Sequence, residues 1–319
     1  MLKRKVSLLV EDRGGNIVLD STGLRVDFDI RLIPEFSRAT FTVYNLNDAT
    51  VRSIINGDCY ATLTVQVGGE AEVILAKQYA VNNAVDEINL PDRTLKLFCF
   101  DRLKGDVLEE QVQLNVPSPT LVSIVDSLLN ETSFEGKYEF LNFPKGVAEK
   151  TGPRPARALE GSIASCLAKL GKEYDFETYT IDGGFKFMYK PNLKNVKHTA
   201  LEGKEPDVIL QTDAMQANPK ISIAALDVTS NLDQNIKPTT VLDISQLLTA
   251  GSGADDETLQ LVDDYNRLAA GYQLYQTFSV AHKGSNYLPQ WTTVARAYSP
   301  TEGKQMPTTG AQWAQRVRN

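Results

Sequence analysis

The stretch LRVDFDIRL, residues 24–32, alternates without a break. Leu24, Val26, Phe28, Ile30 and Leu32 fall on one side of an extended chain, and Arg25, Asp27, Asp29 and Arg31 fall on the other. A helix would bring a residue back to the same face only after three or four positions, so a strict period of two demands a strand with one buried and one polar face.

The neighbouring sequence repeats the pattern. After the turn Pro34-Glu35-Phe36-Ser37, Ala39, Phe41 and Val43 alternate with Thr40, Thr42 and Tyr44. Residues 6–11, 60–67, 73–81 and 93–100 bring the count to six strands, separated by turn signals such as Arg13-Gly14-Gly15-Asn16 and Gly68-Gly69. Short strands at such intervals predict a barrel or sandwich. One short helix interrupts them, with Asn47 or Asp48 as its cap, Gly57 as its stop, and Val51, Ile54 and Ile55 on one side. Two turns of helix are marginal alone and must dock onto the strands.

At 319 residues the chain is too long for one small core. Its middle changes period. Ser118 and Pro119 are expected to open a helix carrying Leu121, Ile124, Val125, Leu128 and Leu129. After a loop over 145–157, a second helix carries Leu159, Ile163, Cys166, Leu167 and Leu170 and stops at Gly171. Strands over 174–181 and 185–189 flank the hairpin signal Asp182-Gly183-Gly184. Strands return at Ile221, Ile223 and Ala225, then over 239–244, 272–282 and 291–297, with a helix bearing Leu259, Val262, Tyr265 and Leu268 on one face between them. The expected fold is mainly β (α+β). An N-terminal β-barrel domain spans 1–105, an inserted α+β domain 106–214, a second β-barrel domain 215–298, and a C-terminal tail 299–319.

The chemistry such a chain can perform is narrow. Asp27 and Asp29 stand roughly 6.5–7 Å apart on one strand face, within the span of a glycosidase pair. Arg25 and Arg31 flank them, however, and cations lower a carboxyl pKa where a general acid needs it raised. A charge-balanced strand face is the reading preferred. Histidine occurs only at His198 and His282, and Cys59, Cys99 and Cys166 are far apart, so neither a metal site nor a disulfide framework is expected. The glycines of residues 250–256 precede three acids, which would repel an anion, and Asp255, Asp256, Asp263 and Asp264 lack the spacing of a calcium loop. No cofactor is expected. Lys and Arg number 33 against 40 Asp and Glu, a net charge of -7, which argues against binding nucleic acid through its backbone. No stretch has the length of a membrane span, and the N-terminal apolar run is broken by Ser7 and Glu11, so no signal peptide is expected. Trp313, with Arg316 and Arg318, has the composition of an interface anchor, against the alternative of an inert terminus.

The order of these pieces resembles the baseplate hub proteins of contractile-tailed bacteriophages, the tail hub or late control protein D-like family. The first match is the corner Tyr44-Asn45-Leu46 with its short helix and Gly57. The insert is similar across its second helix and the hairpin at Gly183-Gly184. Pro238 precedes a strand of the second β-domain, and the closing hairpin carries Gly271-Tyr272, His282, Gly284, Trp291 and Thr292. The resemblance implies two tube-type barrels per subunit and a homotrimer whose six β-domains form a pseudo-sixfold ring. That ring would adapt a hexameric tail tube protein to a trimeric central spike protein, beside other baseplate proteins, with DNA in passive contact along a channel. It implies a virion tail component made in the host cytoplasm and without enzymatic activity. A cell-wall-degrading tail enzyme using Asp27 or Asp29, and a spike protein of a phage-tail-like secretion system, are the alternatives. Arg25, Asp27, Asp29 and Arg31 are expected to face the channel or a neighbouring subunit, and Tyr44 and Asn45 to lie where one β-domain meets the next.

Overall fold

The computed structural model describes residues 4–34, 36–67, 71–89, 92–102, 110–117, 119–130, 132, 135–143, 146, 148–149, 156–181, 184–189, 205–217, 219–221, 225–249, 274–289 and 291–298. His198, the 250–256 loop, the helix expected near 255–270, and Trp313, Arg316 and Arg318 in the tail lie outside them.

Among the described residues the chain is mainly β. Seven N-terminal strands are β1 (Arg4–Asp12), β2 (Ile17–Asp20), β3 (Val26–Leu32), β4 (Arg38–Tyr44), β5 (Cys59–Val67), β6 (Val73–Asn89) and β7 (Asp92–Asp101). They lie in the order β3-β4-β7-β6-β5-β1-β2. Val26, Phe28 and Ile30 of β3 are buried, as are Ala39, Phe41 and Val43 of β4, so the alternation in the sequence maps onto one core-facing surface. Burying each such large side chain contributes about 1.5–3 kcal/mol. β6 runs eight residues past the expected end at position 81. Its polar second half, NNAVDEIN, stays extended because it pairs with β7 from Asn83↔Phe98 to Asn89↔Asp92. β2 was not expected either; it forms by folding back on β1.

Helix α1 (Asp48–Asn56) starts as its cap predicts. The Asn47 side chain accepts from the Thr50 N–H at 2.8 Å. Val51 and Ile54 are buried, but Ile55 is exposed, one position too far round the helix to reach the core.

The insert departs further from expectation. Helix α2 (Leu121–Leu129) is capped by Thr120, not Ser118: the Thr120 hydroxyl accepts from the Ser123 N–H at 3.0 Å, and Ser123 Oγ accepts from the Thr120 N–H at 2.8 Å. Helix α3 is Ile163–Glu173, and Leu159 lies outside it, in a strand. Gly161, at φ 114, breaks the helical run, and the Ser162 side chain then accepts from the Ser165 N–H at 3.2 Å. The residues upstream pair instead, β8 (Gln111–Pro117) with β10 (Ala156–Ser162), placing Leu159 opposite Leu114. α3 also continues past Gly171; there a Cβ would stand 2.7 Å from the Phe176 carbonyl oxygen, so the missing side chain admits the next strand rather than stopping the helix. That hairpin, β11 (Phe176–Ile181) with β12 (Gly184–Tyr189), gains an unexpected parallel neighbour in β9 (Tyr138–Leu141). The buried faces of α2 and α3 close over Phe176, Phe185 and Phe187 in a core of their own.

The C-terminal strands are β13 (Val208–Ile209), β14 (Lys220–Ile221), β15 (Ala225–Asn231), β16 (Val241–Asp243), β17 (Leu274–Ser285) and β18 (Thr292–Tyr298), with a short helix α4 (Ser245–Thr249). They pack a third core around Leu226, Ile236, Leu242, Tyr275 and Val280. β17 runs antiparallel beside β3, from Val280↔Leu32 to Ser285↔Asp27, so the terminal regions share one sheet. The insert reaches the same strands through polar contacts. Asn142 Nδ2 and the Tyr298 hydroxyl both donate to Gln276 Oε1, and the Tyr179 hydroxyl donates to the Phe278 carbonyl at 3.1 Å.

At the β3–β17 seam aromatic side chains fill the space that a side chain at position 284 would need. A Cβ on Gly284 would stand 2.6 Å from Phe28 Cζ and 3.1 Å from Trp291 Cδ1. Trp291 is buried with the N-terminal core, edge-on to Phe28 at 5.9 Å. Gly284→Ala therefore overpacks a rigid aromatic pair and is expected to cost about 1–3 kcal/mol, read as a lower denaturation midpoint at unchanged slope.

Candidate functional site

The polar side of β3 is one row of a larger surface. Across the order β15-β18-β17-β3-β4-β7-β6, the residues opposite the buried ones include Asp227, Arg296, Lys283, Asp29, Asp27, Thr40, Thr42 and Lys96. Charge on this face comes in pairs. Arg296 meets Asp227 at 3.2 Å and Lys96 meets Glu87 at 2.8 Å.

At the centre, the two aspartates are each gripped by cations. Arg25 approaches Asp27 with both Nε, at 3.4 Å, and a terminal nitrogen, at 3.0 Å. The Tyr44 hydroxyl donates to the same carboxylate at 2.8 Å, and so does the Ser285 hydroxyl. Arg31 forks onto Asp29 at 3.2 and 3.1 Å, and Lys283 reaches it from β17 at 3.2 Å. The Arg25 guanidinium also lies 4.0 Å from the Tyr44 ring centre and 5.2 Å from that of Tyr287, which is three-quarters exposed.

Burial pushes both carboxyls up, but the hydrogen bonds outweigh it. Ser285, Arg25 and Tyr44 hold Asp27 below the ordinary carboxyl range, and Arg31 and Lys283 do the same for Asp29. A carboxyl held that low is ionised at neutral pH and has no proton to donate. Neither carboxyl is therefore suited to act as a general acid.

The corner beyond β4 is separately braced. Asn45 takes the left-handed conformation at φ 59, its N–H donating to the Arg93 carbonyl at 2.8 Å and its Oδ1 accepting the Arg93 N–H at 3.1 Å. Arg93 in turn bonds Asp86 and Asp48. The structure thus brings Arg25, Asp27 and Tyr44 together, sets Asp29 and Arg31 beside them on the same face, and places Asn45 at the adjoining corner. Lys283, Ser285 and Tyr287 join them without having been anticipated. The strand expected over 272–282 extends to Ser285, and the alternation of Ala281, Lys283 and Ser285 was the available signal.

His282, on the opposite side of β17, is buried, with Nδ1 2.9 Å from Thr293 Oγ1. Cys59, Cys99 and Cys166 are buried and unpaired, as small hydrophobes are. Among the described residues no group of three or more His, Cys, Asp or Glu is placed to hold a metal ion, and no helix is long and apolar enough to cross a membrane.

Two predictions follow from this geometry. Asp27→Asn and Ser285→Ala, made singly and together, are expected to show a coupling of about 1 kcal/mol in a double-mutant unfolding cycle, because the bond joins β3 to β17. Burial lowers the His282 pKa from 6.5 to about 4. The unfolded chain then binds the extra proton first, so stability is full above pH 6.5 and falls as pH drops to about 4. The loss is about 3 kcal/mol, measured by denaturant titration across pH and absent in His282→Gln.

No family model matches the sequence, and no curated protein sequence matches it. Solved structures do. The 43 kDa tail protein of prophage MuSo2 from Shewanella oneidensis superposes with a TM-score of 0.51 at 13% identity, covering 92% of this chain and 98% of that one. The Escherichia coli c3393 protein is described as a component of the type VI secretion system with structural similarity to the T4 bacteriophage tail proteins gp27 and gp5. It superposes with a TM-score of 0.50 at 9% identity, covering 96% of this chain and 80% of that one. At these identities the likeness is one of fold: a mainly β architecture of the phage-tail type.

Proposed function

We propose that the chain is a structural component of a phage-type tail, and within it the baseplate hub: a homotrimer joining the tail tube to the central spike. The observation that carries this reading is the seam between β3 and β17, which makes one continuous sheet from strands near both ends of the chain and gives it an extended face of paired charges. The likeness in fold to a prophage tail protein over nearly the whole of both chains supports it.

In this reading the chain divides into β-domains at 1–105 and 215–298, an insert at 106–214 and a tail at 299–319. The six β-domains of a trimer form a pseudo-sixfold ring matched to a hexameric tube. Arg25, Asp27, Asp29 and Arg31 face the channel or the neighbouring subunit, with Tyr44 and Asn45 at the subunit junction and Trp313, Arg316 and Arg318 as a terminal contact. Paired charges suit a channel lining, since unpaired cations would strengthen every phosphate contact and retard DNA. The ionised state of Asp27 and Asp29 weighs against a cell-wall hydrolase using them.

The likeness to the type VI component favours a second reading, a spike-associated subunit of a secretion system. Light scattering of the purified full chain tests the trimer: a mass three times 35.2 kDa is expected, and a strict monomer that also fails to bind tube or spike proteins overturns the hub. A threefold ring imaged between tube and spike in assembled virions supports the first reading over the second.

A further inference from the structure

We infer that Asn56-Gly57 is a site of spontaneous covalent ageing, at which the Asn56 side chain deamidates and the backbone partly isomerises. It is the sole Asn-Gly pair in the sequence, and it closes α1. Both residues are exposed, and no side-chain hydrogen bond holds the Asn56 amide among the described residues.

The reaction needs the Gly57 nitrogen to reach Asn56 Cγ. A bond forms between them, the Cγ–Nδ2 bond breaks, and ammonia departs carrying the proton lost from the backbone nitrogen. Water then opens the five-membered imide at either carbonyl. One opening yields aspartate, and the other yields isoaspartate, with one extra backbone methylene. Water is the only co-reactant.

Two features of the α1 terminus leave that path open. α2 and α3 end with the cap N–H bonded back into the helix, Asn130 to the Asp126 carbonyl and Tyr174 to the Leu170 carbonyl, each at 2.9 Å. Among the described residues no such bond closes α1, whose cap Gly57 is extended at φ -105 and ψ 154 rather than wound into the left-handed turn that satisfies helix carbonyls. The incoming nitrogen also belongs to a residue with no Cβ to shield it.

The fold also prevents escape by changing the glycine, since a Cβ at position 57 would stand 2.7 Å from the Ser53 carbonyl oxygen. The product places a new carboxylate at the negative end of the helix, beside Asp58, with no basic residue in the last turn to offset it. Ageing would thus loosen the corner at which α1 passes into β5.

Peptide mapping of the folded, full chain after incubation in mildly alkaline buffer tests this, with isoaspartyl methyl labelling as a second readout. The mass increment of NH2 exchanged for OH is expected at Asn56 roughly tenfold faster than at the exposed Asn82 and Asn83, a barrier lower by about 1.4 kcal/mol. Asn56→Gln should remove both the increment and the label from that peptide. Equal rates at the three asparagines, or modification of Asn56 only after unfolding in urea, would overturn the inference.

Discussion

The antiparallel pairing of β3 with β17 is the constraint on which the other features depend. It carries Trp291 into the N-terminal core, which forces glycine at position 284. It also sets the register that puts Lys283 beside Asp29 and Ser285 beside Asp27. A slip of one residue would turn Phe28 and Ile30 outward and drive both carboxylates into the core, at a cost far above that of any single contact. The surface charges and the buried aromatics are therefore two consequences of one alignment.

The two faces of β3 do different work. Val26, Phe28 and Ile30 supply the burial that holds the strand in place. The ion pairs opposite add modest stability, because half-exposed pairs give up hydration for what they gain in attraction. What they do supply is definition. Arg25 is fixed by a carboxylate on one side and a tyrosine ring on the other, so the face presents a rigid pattern of alternating sign.

Strands whose pairing partners lie on one alternating surface were legible from the chain itself; β3, β4 and β7 declare their buried side residue by residue. So was the start of α1, where Asn47 has a local job. Elements defined by a distant partner were not. β10 has little alternation of its own and is defined by its pairing with β8, whose Val112, Leu114 and Val116 do alternate with Gln111, Gln113 and Asn115, and Leu159 sits four residues before Ile163, a helical interval, while belonging to a strand. The extension of β6 is polar enough to pass for a loop until β7 pairs with it. At the candidate site the acidic pair and its flanking arginines were visible, but the Ser285 hydroxyl that completes Asp27 comes from 258 residues away. The resemblance placed the two regions in separate β-domains and gave neither their pairing nor their register.

The seam also bears on how the molecule is made. β3 is synthesised well before β17, whose Ser285 lies 258 residues beyond Asp27, so one edge of β3 waits for its partner while that stretch is made. Contacts of such separation carry a high loop-closure cost and slow folding. The N-terminal strands can collapse on their own neighbours, yet Trp291 cannot enter their core until the last hairpin is complete. Completion of β17 and β18, rather than formation of the first strands, is then the event that joins β3 to its native partner. The exposed β3 edge is the surface that chaperones, or premature strand exchange between nascent copies, would meet in the interval.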